Sequence, residues 1–237
     1  RFDGMYRTAY HSLQVALNKP FSNGLFFKGA YTWAKAMNEA DDEGWAGVSW
    51  NDPAVMFRNF ALAGYDRAHT FQLGFMWEAP LGFSVNGVFS AFTGTPNTIG
   101  ASGSSLNARA NSQTADILGD PVKLGGIGAG NPYYDTSTFA PITEVRYGNS
   151  GRNIGSVRDP GWWNIDLGIF YRVPVGEKLN LELRAEAFNL TNTPHFNGPN
   201  TSVNSSGFMT ITSTSGNSPE RQIRFGAQDH RIVVPER

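Results

Sequence analysis

Apolar and polar residues alternate with a period of two along much of the chain, which predicts β-strands rather than helices. From His69 to residue 79, large apolar side chains occupy every second position, and polar or small residues fill most of the positions between them. Pro80-Leu-Gly82 then predicts a tight turn into another alternating segment. The same pattern predicts eight strands, at residues 8–20, 25–37, 69–80, 83–94, 162–174, 178–189, 208–214 and 221–228.

The segments that join these strands are of two kinds. The predicted hairpin turns are short, whereas residues 38–68 and 95–160 form long loops. Strands of about ten residues with short turns on one side and long loops on the other are typical of outer-membrane barrels. The expected fold class is therefore all-β, an antiparallel transmembrane-type β-barrel region that covers residues 1–237. A soluble β-sandwich is the alternative, because its strands alternate in the same way.

One face of two predicted strands carries charges. Such a row suits a wet or salt-bridged lumen, where it would line a substrate path or brace the wall as a charge ladder. The lumen-facing candidates are Asp166, Arg172, Glu182, Arg184 and Glu186.

Large aromatic residues lie towards the ends of the predicted strands. Membrane barrels carry aromatic girdles at both membrane interfaces, where an amphipathic ring is most stable. The alternative is that these rings fill a core. The candidates for the membrane interface are Tyr31, Trp33, Trp77, Trp162, Trp163 and Tyr171.

Composition narrows the possible partners. Charged residues make up 16% of the 237 positions, aromatic residues 13%, and glycine occupies 27 positions, which is the profile of a β-rich chain with many turns. The 19 basic and 20 acidic residues nearly cancel, so we expect no nucleic-acid partner. The absence of cysteine excludes disulfides and thiolate metal sites.

Motifs for catalysis are missing from the sequence. The four histidines are dispersed without ligand spacing, and neither a phosphate loop nor a nucleophile elbow is present. We therefore expect no enzyme and no cofactor. One acidic loop is a weak candidate for calcium, which prefers oxygen ligands, although most such loops are merely solvated. This loop contains Asp41, Asp42, Glu43 and Asp52.

Four blocks of sequence, taken in order, resemble one family. The blocks are Tyr10–Leu25 with Ala30–Lys35, Tyr65–Thr70 with Glu78–Gly82, Gly148–Asn153 with Asp159–Gly161, and Leu183–Asn192 with Pro194–Phe196, Thr212–Thr214 and Arg221–Ile223. Together they are similar to the last third of Oar-like TonB-dependent transporters. The resemblance implies the barrel part of an outer-membrane receptor of a Gram-negative-type bacterium, with membrane lipid as a partner and the TonB complex as a partner only within a longer, plugged receptor.

Such transporters have a barrel of about 22 strands closed by a plug. The sequence contains no recognisable plug or TonB box, so the resemblance implies nutrient uptake only as part of a longer receptor. The chain begins without methionine, which fits either a removed leader or a piece of a longer protein. The charged stretch Asp229–Arg231 is expected to end the last strand near residue 228.

Two other functions remain open. A small autonomous barrel of about eight strands could self-associate as a surface filament or oligomer, with Arg1–Tyr6 adding as a strand to a neighbouring subunit. A soluble β-sandwich binding module is the third interpretation.

Overall fold

A single antiparallel sheet dominates the structure, which is a computed structural model that describes residues 7–41, 48–103, 106, 111–176, 179–216 and 220–231. Seven long strands of these residues lie in the order β1-β2-β4-β5-β10-β11-β12, each antiparallel to its neighbours. Their bounds are β1 Thr8–Ser22, β2 Leu25–Asn38, β4 His69–Glu78, β5 Phe83–Phe92, β10 Trp162–Pro174, β11 Leu179–Phe188 and β12 Gln222–Arg231.

Shorter elements lie in the connections. A two-residue strand pairs with the end of β2, and two small two-stranded sheets form within the longer loops. These strands are β3 Ala61–Leu62, β6 Pro96–Asn97, β7 Asp116–Ile117, β8 Phe139–Ala140 and β9 Ile154–Arg158, and the 3-10 helices are Met56–Asn59, Pro80–Gly82 and Thr136–Thr138.

The pairing register sorts the side chains of the sheet into two faces. Phe71, Ala91 and Trp163 lie side by side on one face, because Phe71 pairs with Ala91 and Ala91 pairs with Trp163. This apolar face carries the odd-numbered residues of the long strands, in β1 as far as Lys19, and most of them are aromatic or aliphatic. The even-numbered residues form the polar face, which is rich in serine, asparagine, glutamine and charged side chains.

The apolar face is not a protein core. Apart from Gly29 and Gly87, none of its described residues is buried. Trp33 is 56% exposed and Phe225 is 82% exposed. The residues that do form a core lie in the loops instead, and they are Ile99, Ala115, Tyr133, Tyr134, Phe139, Val157, Met209 and Ile211. A β-sandwich would bury the apolar face of its sheet against a second one, and the described residues supply no such cover.

All the long connections leave the sheet at one end. We call this the loop end, and the opposite end, which carries the hairpin turns, the turn end. The described parts of residues 39–68, 93–161 and 189–221 form a loop cap with its own core. The loop cap therefore lies at the loop end of the sheet, and the described residues at the turn end form short turns.

The predicted strand at 208–214 is wrong. Phe208 and Thr210 donate backbone hydrogen bonds to Ser205 and Gly207, which closes successive turns. Met209 has a left-handed backbone (φ 61°), and its side chain is fully buried in the core of the loop cap. The apolar alternation here reflects packing into that core, so the main sheet has seven long strands where eight were expected.

The last strand is longer than expected. The predicted end near residue 228 is wrong, because β12 continues through Asp229 to Arg231 by pairing with Leu181 and Leu179 of β11. Backbone pairing continues through these charged positions. With seven antiparallel strands, the two edge strands of the described sheet, β1 and β12, run in the same direction.

Candidate functional site

All five charged candidates lie on the polar face of the sheet. Arg172 and Glu182 are directly opposite each other on β10 and β11, with Nε 2.8 Å from Oε2. Glu186 lies opposite Arg224 of β12 in the register, but the Arg224 guanidinium lies over the Phe188 ring, 4.9 Å from its centroid. The Arg172–Glu182 pair is the cross-strand contact that a charge ladder requires.

The remaining two candidates have different surroundings. Asp166 Oδ1 accepts hydrogen bonds from Asn164 Nδ2 and from the backbone N–H of Asn189, both at 2.8 Å. It therefore holds the start of the loop that follows β11. Arg184 lies over Gly226, where a Cβ atom would be 2.5 Å from the guanidinium Nε, so glycine makes room for the arginine.

A shallow depression of about 490 Å³ lies in the middle of the polar face. Gly74 and Gly168 form part of its lining and contribute no side chains. Asn86, Asp166 and Glu186 border the depression and supply polar groups. Phe26, Met76, Val88 and Phe188 also line the depression, so most of its surface is apolar and the polar groups are confined to a few side chains.

Five of the six aromatic candidates lie on the apolar face. Tyr31, Trp33 and Trp163 are near the loop end, and Trp77 and Tyr171 are near the turn end. Trp163 and Tyr171 are eight residues apart on β10, which corresponds to about 26 Å along the strand. A strand tilt of about 40° reduces this to about 20 Å, near the height of the apolar band of a membrane barrel.

Trp162 is the exception, because it does not share that face. Successive residues of a strand point to opposite faces, so Trp162 lies on the polar face while Trp163 lies on the apolar one. The Trp162 ring centroid is 4.5 Å from that of Phe92 and 4.8 Å from that of His195. Trp162 thus belongs to a contact between the sheet and the loop cap.

A cleft of about 380 Å³ opens at this contact, and we call it the rim cleft. Asp159 is its acidic group, and its carboxylate accepts hydrogen bonds from Thr95 Oγ1 and Asn97 Nδ2, both at 2.7 Å. A Cβ atom at Gly198 would be 2.1 Å from Asp159 Oδ1. Glycine at 198 therefore allows the loop to approach the carboxylate.

His195 and Arg67 complete the polar lining of the rim cleft. His195 is 5% exposed, and its Nε2 is 3.0 Å from the carbonyl oxygen of Trp163. Because a carbonyl only accepts, Nε2 carries the hydrogen, and Nδ1 has no hydrogen-bond partner among the described residues. Arg67 donates to the carbonyl of Thr93 at 2.7 Å. The cleft thus combines a carboxylate, a guanidinium, an imidazole and an indole, a set suited to polar or sugar-like ligands.

Two arginine clusters fix the loop cap to the rim of the sheet. Arg152 is buried and donates to the carbonyls of Asn59 (2.7 Å) and Asn38 (2.5 Å), to the side-chain oxygen of Asn38, and to Asp41 Oδ2 (2.6 Å). Arg158 Nη2 lies 2.7 Å from Oδ2 of the buried Asp66, whose Oδ1 accepts from the backbone of β2. The loops that carry the rim cleft are therefore held in a defined position.

Asp41 of the predicted calcium loop is part of the first cluster. Burial raises the pKa of Asp41, but hydrogen bonds from the Gly64 N–H, Asn38 and Asn153 and the charge of Arg152 outweigh it, so the pKa lies below 3.8. Both carboxylate oxygens are already engaged.

Asp52 is the other residue of that loop that the structure describes, and its carboxylate is also engaged. Asp52 accepts from the Tyr147 hydroxyl and the Ala54 N–H, while Asp42 and Glu43 lie outside the described residues. Within the described ranges, no three histidine or acidic residues are placed to hold a metal ion.

Sequence reasoning missed the residues of the rim cleft. Asp159, His195 and Arg67 are far apart in the chain and meet only through the loop cap. Each of the three lies in a block that resembles the family, namely Tyr65–Thr70, Asp159–Gly161 or Pro194–Phe196, but the sequence gives no sign that the blocks meet.

Comparison with known families gives one match. The family model described as "Outer membrane beta barrel domain" matches residues 3–224. No curated protein and no solved structure matches the chain. In the part of the chain that the structure describes, no helix has the length and apolar character needed to cross a bilayer.

Proposed function

The chain belongs to the outer membrane beta barrel domain family, which places it in the outer membrane of a Gram-negative bacterium, and from this premise we propose that it is the barrel part of a TonB-dependent receptor-like transporter for nutrient uptake. In this proposal the apolar face contacts lipid and the polar face lines the lumen. Trp33 and Trp77 then lie at the two membrane interfaces, and the loop cap is on the outside of the cell.

One observation carries the proposal, and it concerns the edges of the sheet. Open sheet edges are not tolerated in the hydrocarbon of a membrane, because every backbone polar group there needs a partner. The edge strands β1 and β12 run in the same direction, so they cannot close an antiparallel barrel by pairing with each other. An odd number of further strands must lie between them. This requirement favours a larger barrel, as in receptor-type transporters, over a barrel made of these seven strands.

The loop cap supports a role in ligand reception. The rim cleft lies at the loop end of the polar face, so a solute that leaves the cleft would next meet the wall that contains Asp166 and Glu186. Asp159 and Arg67 offer opposite charges there, and Trp162 offers an aromatic surface. A cleft that is held by buried arginines loses little conformational entropy on binding.

Self-association is the second candidate, because both edges of the described sheet are open. Copies arranged around one membrane-normal axis would all point the same way, so β12 of one copy would meet β1 of the next in parallel. Parallel pairing is slightly less stable per residue, and membrane barrels of this class are antiparallel throughout. The edges therefore support this candidate less well than a larger barrel.

Purification of the native polypeptide from outer membranes, without protease treatment, tests the proposal. We expect an intact mass several times 25.9 kDa and binding to the purified periplasmic domain of TonB. The matched control is the same pull-down with the periplasmic face of the receptor blocked by antibody. A native mass near 25.9 kDa without TonB binding would contradict transport and favour self-association.

A further inference from the structure

We propose that the apolar face carries a binding site for a phosphorylated glycolipid of the outer leaflet, with its phosphate at His11, Lys35 and His69. This inference rests on the outer-membrane location of the chain and is independent of the transport proposal. It concerns the lipid side of the wall, whereas a transported solute would use the polar face.

The three basic or titratable side chains are neighbours at the loop end. His11 and Lys35 are directly opposite each other on β1 and β2. In the adjacent row, Trp33 lies opposite His69 of β4, and their rings stack with centroids 6.5 Å apart. His11, Lys35 and His69 are all exposed on the apolar face. They therefore form a polar patch next to the aromatic girdle.

One hydrogen bond fixes the orientation of the His69 ring. Its Nδ1 is 2.8 Å from the Tyr31 hydroxyl, which leaves Nε2 on the far side of the ring. A phosphate oxygen accepts hydrogen bonds from imidazole and ammonium groups alike. When the Tyr31 hydroxyl donates to Nδ1, the hydrogen of the neutral His69 ring is on Nε2, and Lys35 and His69 then both offer donors at the loop end of the lipid boundary.

The patch has no competing carboxylate on the strands around it. On the apolar face of the long strands, Asp229 is the one acidic residue in the described part of the chain, and it lies at the turn end. Glu39, just beyond β2, already forms an ion pair with Arg7 at 2.9 Å. An anionic headgroup at Lys35 would meet little repulsion from described groups.

An apolar groove of about 340 Å³ adjoins the patch at the loop end of the sheet. His69 itself lines it, together with the apolar-face residues Tyr31, Phe71, Ala91 and Trp163 and with Thr93 and Gly161 beyond the strand ends. Its floor is Ala91, whose small side chain lies between Phe71 and Trp163 in one register row. Tyr31 continues the row on β2. The groove matches an acyl chain that runs along the wall below a phosphate at Lys35.

The position of the patch indicates which lipid it contacts. Long loops of membrane barrels face the outside of the cell, so the patch contacts the outer leaflet. The phosphorylated lipid that occupies that leaflet of a Gram-negative outer membrane is the lipid A glycolipid, which joins sugar phosphates to several acyl chains. Both parts of the site, donors above and a groove below, fit this amphiphile.

Native mass spectrometry of the full native polypeptide in detergent, titrated with bisphosphorylated lipid A, tests the site. We expect Lys35→Gln to weaken binding about fivefold, the effect of one lysine near an anionic lipid surface, and Lys35→Arg to retain it. Lys28→Gln is the matched control, because Lys28 is on the same strand but on the polar face. Equal weakening by both glutamine variants, or none by either, would overturn the proposal.

Two further measurements keep the result interpretable. Heat-modifiable gel mobility establishes that each variant is folded. If Lys35→Gln fails to fold, Ala91→Leu fills the floor of the groove and should weaken lipid A binding, whereas Ala185→Leu, elsewhere on the same face, should not. Phosphate-free lipid A or phosphatidylglycerol that binds as tightly as lipid A would overturn the assignment to a phosphorylated glycolipid.

Discussion

Arg152 Nη1 lies 2.6 Å from Asp41 Oδ2, although 111 residues separate them along the chain. The contact joins the loop after β2 to the loop before β9, at the point where both reach the rim of the sheet. Because Arg152 also donates to Asn38 and Asn59, one side chain holds three segments of the loop cap.

Removal of this arginine should loosen the loop cap. Arg152→Ala leaves two carbonyls without their donor and removes the charged donor of Asp41, at an expected cost of about 2–3 kcal/mol, below that of a fully buried pair because Asp41 is partly exposed. Hydrogen exchange should show faster local opening around Asn59 and Asn153. The control is Arg146→Ala, which removes the ion pairs of a more exposed arginine and should have a smaller effect. Equal protection of the amides around Asn59 and Asn153 from hydrogen exchange in the two variants would contradict the role of Arg152.

The close packing at Gly198 should also be sensitive to substitution. In Gly198→Ala the new Cβ atom would overlap Asp159 Oδ1, so we expect the loop to be displaced at a cost of about 1–3 kcal/mol. Hydrogen exchange at residues 94–97 and 195–198 measures the displacement. Gly100→Ala is the control, because a Cβ atom there meets nothing within 4 Å. Unchanged protection in Gly198→Ala would show that the rim cleft tolerates the methyl group.

The two adjacent tryptophans should report opposite environments. Trp163 lies on the apolar face and is accessible to lipid, whereas Trp162 is enclosed by Phe92 and His195. In vesicles of brominated lipid, Trp163→Phe should remove a quenched component of the fluorescence, and Trp162→Phe should leave that component in place. Loss of the quenched component in Trp162→Phe, with its retention in Trp163→Phe, would mean that the face carrying Trp162 contacts lipid.

Low pH should weaken the contacts by which the Asp41 carboxylate holds the loop cap. The pKa of Asp41 in the folded protein lies below its ordinary value of 3.8, so its stabilising effect is complete above about pH 5 and is lost as the pH falls through the folded value. The free energy of local opening near Gly64, from hydrogen exchange corrected for intrinsic rates, should decrease below about pH 5. In Asp41→Asn this pH dependence should be smaller, and an identical dependence in both proteins would contradict the assignment.

The strands were predictable because their signal is local. A wall between lipid and a polar interior requires alternation at every second residue, so Phe71, Leu73 and Phe75 mark β4 without reference to any other part of the chain. The same rule, applied strictly, separates Trp162 from Trp163. Grouping aromatic residues by their distance from a strand end puts Trp162 with Trp163, whereas the alternation puts the two on opposite faces.

The loop cap and its cleft were not predictable in this way. The apolar alternation at Met209 and Ile211 predicts a strand. Their structure is instead determined by the left-handed backbone at Met209 and by burial in the core of the loop cap. Asp159 and His195 meet only after the long loops have folded over the rim, and no spacing in the sequence encodes that contact. The sequence predicts eight strands, whereas the main sheet has seven long strands because residues 208–214 form turns in the loop cap.

The central claim is that further strands separate β1 from β12. Because the sequence has no cysteine, introduced cysteines report contacts without background. In the native full-length protein in membranes, cysteines at Val15 and Phe225 should stay unlinked under oxidation, since a disulfide needs Cα atoms within about 7 Å. The control pair Leu13→Cys and Trp33→Cys, directly opposite on β1 and β2, should form a disulfide. Efficient linkage within one polypeptide between β1 and β12, at Val15 or at the flanking Leu13 or Leu17, would contradict the claim and establish a small closed barrel.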